Sequence, residues 1–237
     1  IEAVDTLYAG IKAACDNYHV DLVGGDTTSS VSGLIISITA IGRAQRERIA
    51  YRSGAKAGDI VCVTGDLGAS FIGLQVLERE KQVFIANPDM QPDLAAHDYT
   101  VKRLLKPEAR QDIVHELEDM GVIPTAMIDI SDGLASELMH ISKQSGVGVR
   151  VFEDKLPIDT TTYETAVTFG LDPVTCALNG GEDYELLFTI TQADYEKIRH
   201  HHDIHLIGYT HAQQDQNVLI TKQGNTVLLT AQGWQHF

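Results

Sequence analysis

Two carboxylates and a hydroxyl fall within four residues at Asp129, Ser131 and Asp132, in the stretch Asp-Ile-Ser-Asp-Gly-Leu. Residues 125–130 are apolar apart from Asp129 and read as a buried strand. Beyond Asp132 the period changes. Leu134, Leu138, Ile141 and Val147 recur at helical spacing, with Glu137, His140 and Lys143 between them. A strand therefore runs into a helix through this turn, and Ser131 or Asp132 is placed to cap the helix. A helix start favours anions, yet this turn carries two negative charges, and two acids held together repel unless a cation sits between them. Hard oxygen donors of this kind suit Mg2+ shared with substrate phosphates. The same residues also suit a plain N-cap with one exposed acid beside it, so the choice depends on the rest of the chain.

Three further turns carry related chemistry. Gly24-Gly25-Asp26-Thr27-Thr28 follows a short apolar run, 20–23. Its glycines let a backbone approach a ligand closely, and an acid and two hydroxyls come next. Arg52-Ser53-Gly54-Ala55-Lys56-Ala57-Gly58-Asp59 leads into the strand 60–64, and Arg52 has the fork to hold a phosphate. Gly180-Gly181-Glu182-Asp183-Tyr184-Glu185 feeds the strand beginning at Leu186. Three acids at a strand start repel one another, which points to a ligand or cation nearby, although Glu185 alternating outward into solvent gives an ordinary turn. Gly65-Asp66-Leu67-Gly68 also joins a strand to a helix, but it lacks a Walker lysine and reads as a close-packed turn.

The elements that position these turns follow from periodicity. Residues 2–18 form an amphipathic stripe through Val4, Leu7, Ile11, Ala14 and Cys15. Strands are expected at 20–23, 34–41, 60–64, 148–152, 204–207, 218–221 and 227–229. Helices are expected through Ile72, Leu74 and Leu77, through Ile113, Leu117 and Met120, over 159–169, and over 194–200, where His200, His201 and His202 read as a solvated helix end. Residues 80–98 are polar, contain Asn87-Pro88 and Gln91-Pro92, and read as a long surface loop.

The 237 residues allow one large domain or two small ones. Thirty-three Asp and Glu against 18 Lys and Arg leave a net charge of −15, which argues against a nucleic-acid partner. No apolar run approaches a membrane span. Cys15, Cys62 and Cys176 are scattered among apolar neighbours and read as reduced core residues of a cytoplasmic protein.

The four turns, taken in order, closely resemble those of the thiamine-monophosphate kinases, relatives of aminoimidazole ribonucleotide synthetase. Residues 129–134 and 180–187 are the most diagnostic, and the resemblance covers nearly the whole chain. It implies an α/β (α+β) fold of two lobes. Residues 1–50 would be the remainder of an ATP-binding and dimerisation lobe, and residues 51–237 a complete C-terminal lobe. It implies transfer of the γ-phosphoryl of ATP to thiamine monophosphate. Carried over residue by residue, Asp26, Asp129 and Asp132 match magnesium ligands that together hold Mg2+. Tyr8, Gly25, Asp26, Arg52 and Ser131 match nucleotide contacts, and Glu182 and Trp234 match contacts to the thiamine moiety. No covalent nucleophile is implied. Family members carry a further N-terminal segment with an acidic metal motif, so a chain starting at Ile1 is expected to be a partial one with little activity, and the family homodimer belongs to the full-length protein. Another ATP-dependent synthetase of the superfamily, or a non-catalytic nucleotide-binding relative, remains open on these residues alone.

Overall fold

The computed structural model describes residues 2–214 and 216–231. The chain divides into two compact units, Ile1–Arg46 and Glu47–Phe237.

In the first unit the apolar stripe of residues 2–18 forms α1 (Glu2–Tyr18). The expected strands at 20–23 and 34–41 do not form; both stretches lack regular structure. Their side chains are exposed, Leu34, Ile35, Ile38 and Ile41 among them. Sequence pattern alone cannot make a strand, because an isolated strand leaves its backbone groups unpaired and is marginal in water.

In the second unit, alternation decides the sheet. Val61 and Val63 of β1 (Ile60–Thr64) face one core, and Cys62 faces the other. Leu187 of β4 (Leu186–Ile190) joins Val61 and Val63, while Phe188 and Ile190 join Cys62. Around this pair run β2 (Ala126–Asp129), β3 (Gly148–Phe152), β5 (Ile204–His211), β6 (Asn217–Ile220) and β7 (Thr226–Leu228). The seven strands order as β2-β4-β1-β5-β3-β6-β7. Their pairings are antiparallel except β3 with β6.

Helices cover both faces, as a sheet with two apolar sides requires. Leu134, Leu138 and Ile141 of α5 (Leu134–Ser145) pack into the Val61 core. Ile113 and Leu117 of α4 (Gln111–Asp119) and Ile198 of α8 (Tyr195–Ile198) pack into the Cys62 core. Ile72 of α2 (Ala69–Ala86) meets Ala166 of α6 (Thr160–Thr168) and Cys176 of α7 (Pro173–Asn179) in a third, smaller cluster. Cys62 and Cys176 are buried and free as expected, whereas Cys15 is only half-buried.

The expected loop over 80–98 is helical at its start and irregular over most of the rest. α2 runs on to Ala86, and α3 (Asp98–Leu105) begins where the loop should end. Tertiary packing of α3 on α2 overrides the polar composition: a Cβ on Gly73 would collide with the Thr100 carbonyl. α7 was also hidden, because its seven residues are too few to show a helical period. The expected 194–200 helix is four residues long, and His201, just beyond it, sits 2.6 Å from the Glu116 carboxylate.

Candidate active site

The Asp-Ile-Ser-Asp turn leaves the end of β2 exposed at Asp129 and enters α5 after Gly133. Neither Ser131 nor Asp132 caps the helix. The N-cap is Gly133, at φ 107, with no side-chain cap bond. The turn is held instead by Glu137, whose Oε1 accepts from the Asp132 amide at 3.2 Å and lies 3.5 Å from the Ser131 hydroxyl. Glu137 is only 2 % exposed, so it belongs to the buried stripe of α5 and not to the polar face its charge suggests. Burial pushes its carboxyl up to about 7, the charges of Asp132 and Asp129 add to that shift, and the Asp132 amide opposes it. The signal for Glu137 was present in the sequence: a carboxylate one residue from Leu138 and four before Ile141, on the apolar side of the helix.

The Gly-Gly-Glu-Asp-Tyr-Glu turn is joined to this one. β4 pairs β2 up to Asp129↔Leu186, and the pairing then continues through the loops. The Ile130 amide donates to the Glu185 carbonyl at 2.8 Å, the Tyr184 amide to the Ile130 carbonyl at 2.9 Å, and the Glu182 amide to the Ser131 carbonyl at 2.8 Å. Contact is so close that a Cβ on Gly133 would stand 2.8 Å from the Leu178 carbonyl oxygen and one on Gly181 2.6 Å from that of Ser131. Both glycines have positive φ, so only glycine satisfies the conformation and the clearance together.

Along this second turn the side chains alternate. Glu182 and Tyr184 are exposed, and the Tyr184 hydroxyl donates to Glu182 Oε2 at 3.1 Å. Asp183 and Glu185 point inward, 1 % and 2 % exposed, so the alternative of an ordinary turn with Glu185 in solvent does not hold. Asp183 Oδ2 accepts from the Gly68 amide at 2.9 Å, closing the N-terminus of α2 from the loop before the neighbouring strand β4. Glu185 takes ion pairs from Arg103 at 3.0 Å and Arg110 at 2.6 Å, and a bond from the Thr64 hydroxyl at 2.5 Å. Arg110 also bonds Asp112 and Asp203. Arg103 and Arg110 carry no local signal in sequence, since they reach Glu185 only through the fold.

Arg52 is exposed, on a segment that runs along the outer edge of β2. The Met127 amide donates to the Tyr51 carbonyl at 2.8 Å, and the Gly54 and Ala55 amides each reach the Ser145 hydroxyl at 3.2 Å. Within the first unit, Tyr8 and Gly25 are neighbours: a Cβ on Gly25 would stand 3.5 Å from the Tyr8 hydroxyl. Asp26 Oδ1 accepts from the Thr27 amide at 2.8 Å. Trp234 lies outside the described residues. Among the described residues no group of three or more His, Cys, Asp or Glu stands ready to hold a metal ion. Asp129 and Asp132 offer two exposed hard carboxylates on one turn, with the Glu137 Oε2 buried and unpartnered beneath them, a donor set that fits Mg2+ completed by phosphate oxygens and water.

Residues 56–215 match the family described as AIR synthase related protein, C-terminal domain, and residues 1–44 the corresponding N-terminal domain. The thiamine-monophosphate kinase of Bacillus subtilis is 32 % identical over 99 % of this chain and 70 % of its own length. The chain belongs to the thiamine-monophosphate kinase family. A second family member, from Aquifex aeolicus, is 33 % identical over 100 % of this chain and 70 % of its own length. The solved structure of AaThiL complexed with AMPPCP and TMP superposes with a TM-score of 0.75 at 29 % identity, covering 99 % of this chain and 68 % of that one. In this member of the thiamine-monophosphate kinase family, the turns of residues 129–133 and 180–185 are joined by main-chain bonds. Among the described residues, no helix is long and apolar enough to cross a membrane.

Proposed function

We propose that this chain transfers the γ-phosphoryl of ATP to thiamine monophosphate, giving thiamine diphosphate and ADP. The observation that carries the reading is the pairing of an Asp-Ile-Ser-Asp turn with a Gly-Gly-Glu-Asp-Tyr turn through three main-chain bonds, in a chain this similar to AaThiL complexed with AMPPCP and TMP. A phosphate oxygen of thiamine monophosphate forms the new bond to the γ-phosphorus, and the bond from that phosphorus to the oxygen retained by ADP breaks. Such transfer asks the protein for positioning and charge compensation, with little covalent chemistry.

The chain's own groups fit those tasks. Asp129 and Asp132 would hold Mg2+, and in the first unit Asp26 is assigned the same role. Bound there, the ion would neutralise phosphate charge and orient the reacting oxygens. Ser131, Arg52, Tyr8 and Gly25 are assigned to the nucleotide, and Glu182 and Trp234 to the thiamine moiety. Glu137 fixes the Asp132 amide and the Ser131 hydroxyl, so the turn keeps its shape while charge moves past it. We assign residues 1–50 to the nucleotide-binding and dimerising lobe and 51–237 to the second lobe. The exposed Leu34, Ile35, Ile38 and Ile41 support a homodimer, and three free cysteines support a reducing, cytoplasmic setting. The net charge of −15 supports small anionic substrates reached through metal ions and not nucleic acid.

The test is chromatographic detection of thiamine diphosphate after incubation with ATP and Mg2+, with thiamine in place of thiamine monophosphate as the control. ADP formed without thiamine diphosphate would exclude the reading.

A further inference from the structure

Among the described residues three non-glycine residues hold a left-handed backbone: His19, Glu182 and Tyr184. Two of the three lie in a single turn, at φ 61 for Glu182 and φ 52 for Tyr184. A bulky aromatic residue in this region is an outlier, and strain of this kind persists only where surrounding structure imposes it. What imposes it here is visible. Asp183 and Glu185, on either side of Tyr184, are locked inward by the Gly68 amide and by Arg103 and Arg110. The Glu182 and Tyr184 amides are in turn bonded to the Ser131 and Ile130 carbonyls, so main-chain bonds and inward anchors together hold both residues in this conformation.

Packing does not explain why the outward residue is tyrosine. Its side chain is 38 % exposed, and its hydroxyl bonds Glu182. Its main chain is bound to the first turn, the Tyr184 amide donating to the Ile130 carbonyl. Burial raises the phenol pKa first, followed by the Glu182 bond and charge and then by the charges of Asp129 and Asp132. Tyr184 is thus tied by its hydroxyl to Glu182, the acid assigned to the thiamine moiety, and by its amide to Ile130, the neighbour in the chain of Asp129, which is assigned to metal.

We infer that Tyr184 is a substrate-contacting residue whose ring packs against the positively charged heterocycle of thiamine monophosphate while its hydroxyl holds Glu182 toward the same charge. The inference rests on the kinase reading above and adds a residue to it. A flat cation is attracted to an aromatic face and to a carboxylate together. The phosphate end of the same molecule is repelled by Glu182 and turned toward Asp129 and Asp132, where a bound cation would receive it. Glu182 and Tyr184 thus set which end of the substrate faces the γ-phosphate.

The experiment is calorimetric titration of thiamine monophosphate into the protein with Mg2+ and a non-hydrolysable ATP analogue, for wild type and for Tyr184→Leu, Tyr184→Phe and Tyr184→Gly. Loss of the ring in Tyr184→Leu is expected to weaken thiamine monophosphate roughly tenfold and to leave the ATP analogue unchanged. Tyr184→Phe keeps the ring and is expected to lose only about threefold, the share of one exposed hydrogen bond. Tyr184→Gly is expected to bind as poorly as the leucine variant while its thermal midpoint holds or rises, because glycine takes this φ without strain. Wild-type affinity in Tyr184→Leu would overturn the inference. So would equal losses for both ligands accompanied by a lower midpoint, which would mark Tyr184 as structural. A wild-type protein that binds the ATP analogue but no thiamine monophosphate would instead overturn the kinase reading, and this assignment with it.

Discussion

The Glu182 amide donates to the Ser131 carbonyl at 2.8 Å, and through that bond two turns about fifty residues apart in sequence become one surface. Ser131 and Glu182 are the residues assigned to opposite substrates, nucleotide and thiamine moiety, so the bond fixes the spacing at which the two would meet. A misplacement of about 1 Å in such a site costs on the order of a hundredfold in rate.

Gly181→Ala tests that spacing. The new Cβ would stand 2.6 Å from the Ser131 carbonyl oxygen and would have to adopt φ 68. The variant is expected to lose about 1–3 kcal/mol of stability in urea unfolding and a larger share of its phosphoryl-transfer rate. Wild-type stability and rate together would show that the two turns separate freely.

Asp129→Asn separates binding from folding. Asp129 is exposed at the end of β2, and its loss is expected to change stability by less than about 0.5 kcal/mol. Removing one of two carboxylates from a hard-oxygen site is expected to weaken Mg2+-dependent nucleotide binding by at least tenfold. Calorimetry with and without Mg2+ reads the difference directly, and unchanged nucleotide affinity would take Asp129 out of the site.

Glu185→Ala strikes the anchor behind the turn. It leaves Arg103 and Arg110, both largely buried, without their shared carboxylate. Arg110 keeps Asp203 and Asp112, so Arg103 bears most of the loss. Breaking a buried pair by removing one partner costs roughly 3–5 kcal/mol. A urea-derived loss under about 1 kcal/mol would mean that the network relaxes or admits water.

How far the sequence carries this picture differs from element to element. The β2-to-α5 turn was legible, because a continuous apolar run gives way to a helical period across Asp129–Leu134. The strand 60–64 was legible as a short apolar run, and helix α4 from the spacing of Ile113, Leu117 and Met120. What stayed hidden depends on partners distant in sequence. Glu185 reads as an acid facing either a cation or solvent until Arg103 and Arg110 arrive from other elements. The last turns of α2 read as loop, and α3 gives no helical signal until α2 supplies a surface for it. The runs at 20–23 and 34–41 show the opposite failure: their composition suits strands, but a strand exists only where a neighbour takes its hydrogen bonds. Periodicity reports which face is apolar, not what covers it.

The remaining prediction concerns pH. Asp183 is buried on the N-terminus of α2, facing the Gly68 and Ser70 amides, Arg103 and Asp66. Burial pushes its carboxyl up to about 7, against the pull of the two amides and Arg103 and with a further push from Asp66. In the unfolded chain the same group titrates near 3.8. Between these values the folded protein holds a proton that the unfolded chain has released, so stability falls as pH rises through this window. The cost is absent below about pH 4 and fully developed above about pH 7, and integrates to a few kcal/mol. Asp183→Asn keeps an acceptor for the Gly68 amide and carries no charge to bury. It is expected to make the stability profile shallower between about pH 4 and 7 and to be the more stable protein at pH 8, with the residual slope belonging to Glu137 and Asp66, whose carboxyls burial also raises. Urea midpoints measured at intervals across that range decide it. A wild-type profile that climbs from pH 4 to 7, or an Asp183→Asn variant with the same slope as wild type, would show that Asp183 is ionised in the folded protein and that Arg103 and the α2 amides outweigh its burial.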